Sequence, residues 1–410
     1  MSTGEATQDA ARGGVVIAGA GLAGARTAVE LREQGWDGPV TLLGSEPHRP
    51  YDRPPLSKEV MQGQADGSTL DIDYRALDIT LLPGRTATGL DPAARLLHTD
   101  AGPLRYGRLV LATGARAVTL PGARDLAGVH VLRTLDDALA LRKVLAAGGS
   151  LAVVGAGWIG AELTTAARAA GCPVTVVEAA GHVLAGALPA EVTAPMRRWY
   201  AEAGAGLRTG SPVAAVRTGA VELADGTVLA ADAVLIGIGA RPATGWLAGS
   251  GVPLDPADGS VRADAALRAG VPDVWAVGDC ASYPSARHGR RMMVHHWDNA
   301  LHGPRTVAAG ILGRPATHDP VPYFWSDQFG RTVQYAGHHG DADLLLWRGD
   351  PEGTEGWTVC WLRAGRLAAL LAVDRPRDSA QGRRLIERGT PLDAALAADP
   401  AVPLKSAVRR

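Results

Sequence analysis

Glycines at positions 19, 21 and 24, in GAGLAG, and again at 155, 157 and 160, in GAGWIG, are spaced for one kind of chemistry. Between a strand and a helix, the first glycine of such a triplet permits a tight turn and the second lets backbone approach a pyrophosphate. The third lets helix pack on strand. The helix N-terminus then faces the anion. Each triplet follows a β-rich run and opens a segment with helical spacing, and each unit closes on a second strand, PVTLLGSE or PVTVVE. The repeat predicts two dinucleotide sites in one chain.

An acid at the end of the second strand completes such a site by accepting hydrogen bonds from ribose hydroxyls. Glu178 stands directly there, while Glu46 is displaced past its strand by Gly44 and Ser45. A carboxylate at position 178 repels a 2'-phosphate, which favours NADH over NADPH. The economical pairing of two dinucleotides is a flavin held permanently and a nicotinamide that comes and goes, so the chemistry is hydride transfer to a flavin.

A further stretch, RPYDRPPLSK at 49–58, ends in Lys58. Its three prolines fix φ and remove three donors, so it is neither helix interior nor central strand but a rigid loop. Laying the glycine units over each other sets Arg26 of the first against Glu162 of the second. A carboxylate in the opening turn of a cofactor helix would repel the pyrophosphate, so Glu162 is expected to point elsewhere, toward the nicotinamide end.

The elements that position these groups follow from pattern. LVLATGARAVTLPG and ADAVLIGIGARP are buried strands running into glycines and a proline exit, Pro121 and Pro242, and read as chain crossings between domains. VPDVWAVGDCASY is another buried strand, ending at Asp279. From PVPYFWSDQFGRTVQYAGHH the residues alternate as in antiparallel strands, and RDSAQGRRLIERG follows as a helix. The tail reads as a short helix and a frayed end. The fold class is α/β, with two Rossmann-like dinucleotide-binding domains and a C-terminal α+β domain. The first domain is discontinuous, 1–116 and 242–319; the second is 117–241 and the last 320–410.

Composition narrows the function. A chain of 410 residues exceeds one hydrophobic core. A formal net charge of -1 argues against nucleic acid or an acidic membrane surface as a partner. Cys172, Cys280 and Cys360 form no paired motif, so neither zinc nor a disulfide framework is indicated and a reducing cytoplasm fits. The N-terminal stretch MSTGEATQDAARGG lacks the pattern of a signal peptide, and no apolar run is long enough to span a bilayer. His295 and His296 are adjacent but have no matching cluster, so no metal is expected. RHGRR at 287–291 reads equally as a docking patch for an acidic protein or as a solvated turn.

The order of these segments resembles the pyridine nucleotide-dependent flavoprotein reductases. PYDRPPLSK, GWIGAE, GIGARP, VGDCA, HHWDNA and PYFWSDQFG are similar to the branch that serves oxygenases, the NADH-dependent ferredoxin and rubredoxin reductases. The resemblance covers essentially the whole chain. It implies FAD on the first domain, NADH on the second, and a last domain covering one side of the flavin. It implies Asp279 at the FAD ribityl chain, Arg53 and Arg133 as FAD contacts, Trp297 meeting the flavin from its backbone and Trp325 beside the ring. Ile159 of GWIGAE and Gly239 of GIGARP are carried over as cofactor contacts, and Lys58 is placed beside the flavin, facing Glu162. The partner implied is an iron-sulfur ferredoxin that docks transiently and feeds a haem-thiolate monooxygenase or a ring-hydroxylating dioxygenase.

Disulfide-reducing relatives carry a cysteine pair soon after the FAD fingerprint, whereas this chain has no cysteine before Cys172. Electrons then leave the flavin one at a time, as an iron-sulfur acceptor requires. The chain also departs from the family. His182 and Gly186 stand where arginines often hold the nicotinamide cofactor, and His295 stands where an acid is common. Two other readings fit the same motifs: a reductase of the same fold acting on a quinone, a radical or oxygen, and a redox-sensing protein that binds FAD and NADH.

Overall fold

The computed structural model describes residues 13–409, so most of the N-terminal stretch discussed above lies outside the described residues. The chain forms two compact units. The first takes residues up to Asp52, Thr69–Arg116 and Arg241–Pro320; the second takes Arg53–Ser68, Ala117–Ala240 and the chain from Val321 onward.

The first unit is built on a five-stranded parallel sheet. Its order is Val274–Ala276, Arg108–Leu111, Val15–Ala18, Val40–Gly44 and Ile79–Pro83. All four residues of the central strand Val15–Ala18 are buried, which is why that segment reads as a continuous apolar run. At its end Gly19 adopts φ +116°, and a Cβ there would overlap the carbonyl oxygen of Ala112. The helix Leu22–Glu33 buries its small residues Ala25 and Ala28 together with Leu31. These pack with Val307, Ala308 and Ile311 of the helix Trp297–Ile311 in one core.

One strand is shorter than its sequence pattern. The run predicted to end at Asp279 stops at Ala276, and Asp279 sits in a 3-10 turn, Gly278–Cys280, that leads into a separate strand, Ala281–Ser285. Gly278 at φ +76° is the cause, since the chain cannot stay extended through a left-handed residue. The RHGRR segment forms the turn and first residues of the next strand, Arg290–Met293. The Arg291 guanidinium there donates to the carbonyls of Ala263 and Ser282, each at 2.8 Å, so this arginine is committed to the fold.

The second unit repeats the plan. Its parallel sheet runs Gly206–Arg208, Val174–Val177, Leu151–Val154, Ala233–Ile236 and Val129–His130. The same unit holds a five-stranded antiparallel sheet, ordered Tyr323–Gln328, Arg331–Gly337, Arg366–Val373, Trp357–Arg363 and Leu344–Arg348. The helix Pro376–Arg388 packs against it.

Three details differ from the sequence reading. The proline strap ends in a 3-10 turn, Pro54–Ser57, with Pro54 and Pro55 in its first two positions, where a missing N–H costs nothing. Residues 53–68 group with the second unit and not with the segment 1–116. The tail is not frayed: Leu404 and Ala407 are fully buried, and Leu392 bridges to Val408.

Candidate functional site

Both glycine turns form cradles suited to a pyrophosphate. In the first unit a Cβ at Gly24 would overlap the Gly19 carbonyl oxygen, so helix and turn touch there. A Cβ at Gly21, by contrast, would meet nothing within 4 Å. Packing does not require a glycine at 21, and the space it leaves lies over a helix N-terminus with no side-chain cap and no acid in its first turn. Such an end offers backbone N–H groups and a positive dipole to an anion. Gly155, Gly157 and Gly160 repeat the arrangement: Gly160 abuts Gly155, while a Cβ at Gly157 would have only the Gly237 carbonyl oxygen nearby, at 3.9 Å. The residues present therefore fit two dinucleotides.

The other residues expected to meet FAD in this unit lie at strand and helix ends. Glu46, just past the strand Val40–Gly44, accepts a hydrogen bond from the Tyr51 hydroxyl. Asp279 stands in the turn after Val274–Ala276. Trp297 is the first residue of its helix, and its indole donates to Asp52 at 2.8 Å. Burial raises the Asp52 carboxyl above its ordinary range, and the indole bond opposes that shift. Burial also holds the neighbouring His296 down at about 4, a neutral imidazole at physiological pH.

In the second unit Glu178 is held by two backbone donors. One carboxylate oxygen accepts from the Ala156 N–H at 2.8 Å and the other from the Ala180 N–H at 2.9 Å. Each oxygen keeps a lone pair for a ribose hydroxyl. Ile159, in the first turn of the helix Trp158–Ala169, is an exposed large apolar residue, and so is Ile238, beside Gly239. Ile238 escaped the sequence reading because in GIGARP it looks like the end of a buried strand; the strand stops at Ile236. His182 faces the Thr193 hydroxyl and the Val183 carbonyl, both at 3.0 Å, and so turns toward the protein.

The densest polar cluster surrounds Glu162. Lys58 Nζ lies 2.9 Å from its Oε2, so the pair read from the sequence is present. Ser57 Oγ donates to the same oxygen and Ser326 Oγ donates to Oε1 at 2.6 Å. The Glu162 side chain is 5% exposed and that of Lys58 14%. The reason inferred for the orientation of Glu162 needs correction. It is the fifth residue of its helix, past the first turn, so repulsion from a pyrophosphate does not set its direction. Its three donors do. Ser57 and Ser326 were missed, although both lie in motifs the sequence singles out, PPLSK and FWSDQ.

Arg53 and Arg133, two residues carried over from the family pattern, come together: the Arg53 guanidinium donates to the Arg133 carbonyl. The N–H groups of Arg133 and Thr134 donate to Asp137 at 3.0 and 2.8 Å, which anchors that segment at the start of the helix Leu135–Ala146. Trp325 stacks on Tyr323 with ring centroids 6.3 Å apart, and Arg383 covers the Tyr323 ring at 4.9 Å.

All three cysteines are buried. Burial pushes Cys280 up to about 11 and Cys360 up to about 12, and raises Cys172 as well. Thiols so shifted stay protonated at pH 8 and are poor nucleophiles. Iodoacetamide at that pH is therefore expected to leave NADH-linked activity unchanged, both in the resting protein and after reduction. Inactivation that tracks reduction would refute this, and so would a large loss of activity on replacing all three cysteines. Among the described residues no three His, Cys, Asp or Glu side chains are grouped to hold a metal, and no helix is long and apolar enough to cross a membrane.

Comparison with known proteins agrees with this geometry. Residues 13–302 match the family described as pyridine nucleotide-disulphide oxidoreductase, and residues 323–408 match the reductase C-terminal domain. The chain is 36% identical over 411 residues to rhodocoxin reductase of Rhodococcus erythropolis, covering 97% of this chain and 94% of that protein. It is 36% identical to the ferredoxin–NAD(+) reductase component of the anthranilate 1,2-dioxygenase system of Burkholderia cepacia, covering 95% of this chain and 98% of that one. Among solved structures it is similar to the covalent putidaredoxin reductase–putidaredoxin complex, at 33% identity and a TM-score of 0.91, over 96% of this chain and 97% of the other.

Proposed function

The chain belongs to the pyridine nucleotide-disulphide oxidoreductase family, and on that premise we propose that it is an FAD-dependent NADH:ferredoxin reductase supplying an oxygenase. The observation that carries the reading is two open glycine cradles in a chain whose three cysteines are all buried. FAD, when bound, supplies the conversion of a hydride from NADH into two single electrons, which an iron-sulfur ferredoxin accepts one at a time. The oxygenase served is a haem-thiolate or ring-hydroxylating enzyme, and the cytoplasm, which supplies NADH and keeps cysteines reduced, suits such a protein.

Each candidate residue takes a role in this reading. Gly19, Gly21, Gly24, Glu46, Asp279 and Trp297, in the domain 1–116 and 242–319, hold FAD, with Arg53, Arg133 and Trp325 as further contacts. Gly155, Gly157, Ile159, Gly160, Glu178 and Gly239, in the domain 117–241, hold NADH. The domain 320–410 supplies Trp325. Lys58 brings a positive charge to the reduced cofactor and Glu162 orients it. A saturable ferredoxin-dependent rate well above the rates with quinones and oxygen is the expected result; equal or higher rates with those small acceptors would overturn the reading.

Cofactor preference tests the second cradle by itself. Glu178→Gln is expected to weaken NADH binding and to narrow the preference over NADPH. It removes charge-assisted bonds worth roughly 1.5–3 kcal/mol and the repulsion of a 2'-phosphate. Steady-state kinetics with both nucleotides decide it, and a wild type that already uses NADPH as well as NADH would contradict it.

A further inference from the structure

We propose that Ser326 and Ser57 are positioning residues for the Lys58–Glu162 pair: they hold both carboxylate oxygens and share their charge, so that the Lys58 ammonium keeps its field for the reduced cofactor. The proposal rests on the role given above to that pair.

Hydroxyl chemistry carries the argument. A serine has one proton to give. Ser326 is 1% exposed, and the Gln328 side-chain amide donates to its oxygen at 3.4 Å, a long bond that occupies a lone pair and leaves the hydroxyl proton for Glu162 Oε1. Ser57 could donate to the Pro54 carbonyl at 3.4 Å or to Glu162 Oε2, and the close, charged acceptor wins. The donors arrive from two segments, one on the proline turn before Lys58 and one on the strand Tyr323–Gln328. A buried carboxylate facing Lys58 alone would concentrate its charge on that ammonium and neutralise it. Two hydroxyl donors draw part of the charge away, and they stop the carboxylate from rotating.

This gives the FWSDQ motif a reason beyond Trp325, since its serine and glutamine form a relay from Gln328 through Ser326 to Glu162. It also gives PPLSK a second chemical residue. Both serines donate to Glu162, so both act through it.

The chain holds only three lysines, Lys58, Lys143 and Lys405, and the last two are exposed. In the FAD-loaded protein, acylation by an N-hydroxysuccinimide ester, resolved site by site by mass spectrometry, therefore reads Lys58 against two internal references. The amine reacts once it sheds its proton, and a carboxylate relieved of a hydroxyl donor holds that proton harder. Ser326→Ala is expected to lower Lys58 acylation about threefold or more relative to Lys143 and Lys405. Stopped-flow flavin reduction at saturating NADH should fall by about tenfold, the size of one charge-assisted hydrogen bond. NADH affinity should stay within about twofold, and Ser326→Thr should restore both readings. Ser57→Ala, on the other oxygen, should act in the same direction and serves if Ser326→Ala does not fold. Unchanged Lys58 acylation in the alanine variants would overturn the proposal, and so would a threonine variant as slow as the alanine. A normal reduction rate in Lys58→Met would instead overturn the role of the pair, while the acylation ratio would still judge the serines.

Discussion

Replacing Lys58 by Met is expected to slow flavin reduction by NADH roughly ten- to a hundredfold while FAD stays bound, a loss of about 1.4–2.7 kcal/mol of transition-state stabilisation. Methionine keeps the length and apolar stem of lysine and removes the charge. In the wild type the Lys58 side chain is 14% exposed and its ammonium lies 2.9 Å from Glu162, so its position is set by the fold and needs no reorganisation during reaction. The FAD contacts proposed elsewhere in the chain are untouched, so flavin absorbance per protein should not change.

The substitution also strands a buried carboxylate, and breaking one partner of a buried pair costs about 3–5 kcal/mol. Two serine donors reduce that penalty at Glu162. The double variant Lys58→Met, Glu162→Gln removes the stranded charge and should recover most of the lost stability without recovering the rate. Stopped-flow reduction and urea unfolding separate the two effects. A Lys58→Met enzyme reduced within about twofold of the wild-type rate would remove the ammonium from the mechanism, since a twofold change lies well below the stabilisation assigned to it.

The largest expected change in stability belongs to Arg348→Met, about 3–5 kcal/mol. Arg348 is 2% exposed, and every nitrogen of its guanidinium is used. Nε and Nη2 donate to Asp378 at 3.3 Å, Nη1 donates to the carbonyls of Ala397 and Asp399 at 2.7 and 2.8 Å, and Nη2 reaches the Val402 carbonyl at 3.0 Å. Thr358 adds a bond to Asp378 at 3.1 Å. Methionine fills much of the volume but leaves an unpaired carboxylate and three tail carbonyls without this donor. Lysine would not substitute, because one ammonium cannot span a planar five-donor network.

Urea unfolding of the wild type and the variant measures the loss, and a change under about 1 kcal/mol would mean that the tail holds itself in place. The consequence reaches function through the sheet. Arg348 ends one strand of the same antiparallel sheet whose first strand, Tyr323–Gln328, carries Ser326 and Trp325.

Short-range signals in the sequence determined much of this protein. The glycine triplets, the apolar strands that precede them and the acid at Glu178 are each governed by sterics and hydrogen bonding within a few residues, so their spacing alone located both cradles. The same holds for the proline strap, because proline restricts its own φ whatever surrounds it. The Lys58–Glu162 pair was legible by a different route: the two glycine units could be compared, and the family resemblance supplied the partner.

Only the tertiary structure decided the rest. The tail 392–408 looks polar and loose in sequence, yet a single arginine some 50 positions earlier gathers three of its carbonyls, and hydropathy carries no record of such a partner. The orientation of Glu162 was assigned to a repulsive pyrophosphate, a local cause, whereas its actual causes are the Lys58 ammonium and hydroxyls 105 and 164 positions away. A serine in a loop and a serine in a strand have no distinguishing local pattern. They acquire their role because chain folding brings them to one buried carboxylate, whose cost of desolvation requires that its oxygens be satisfied.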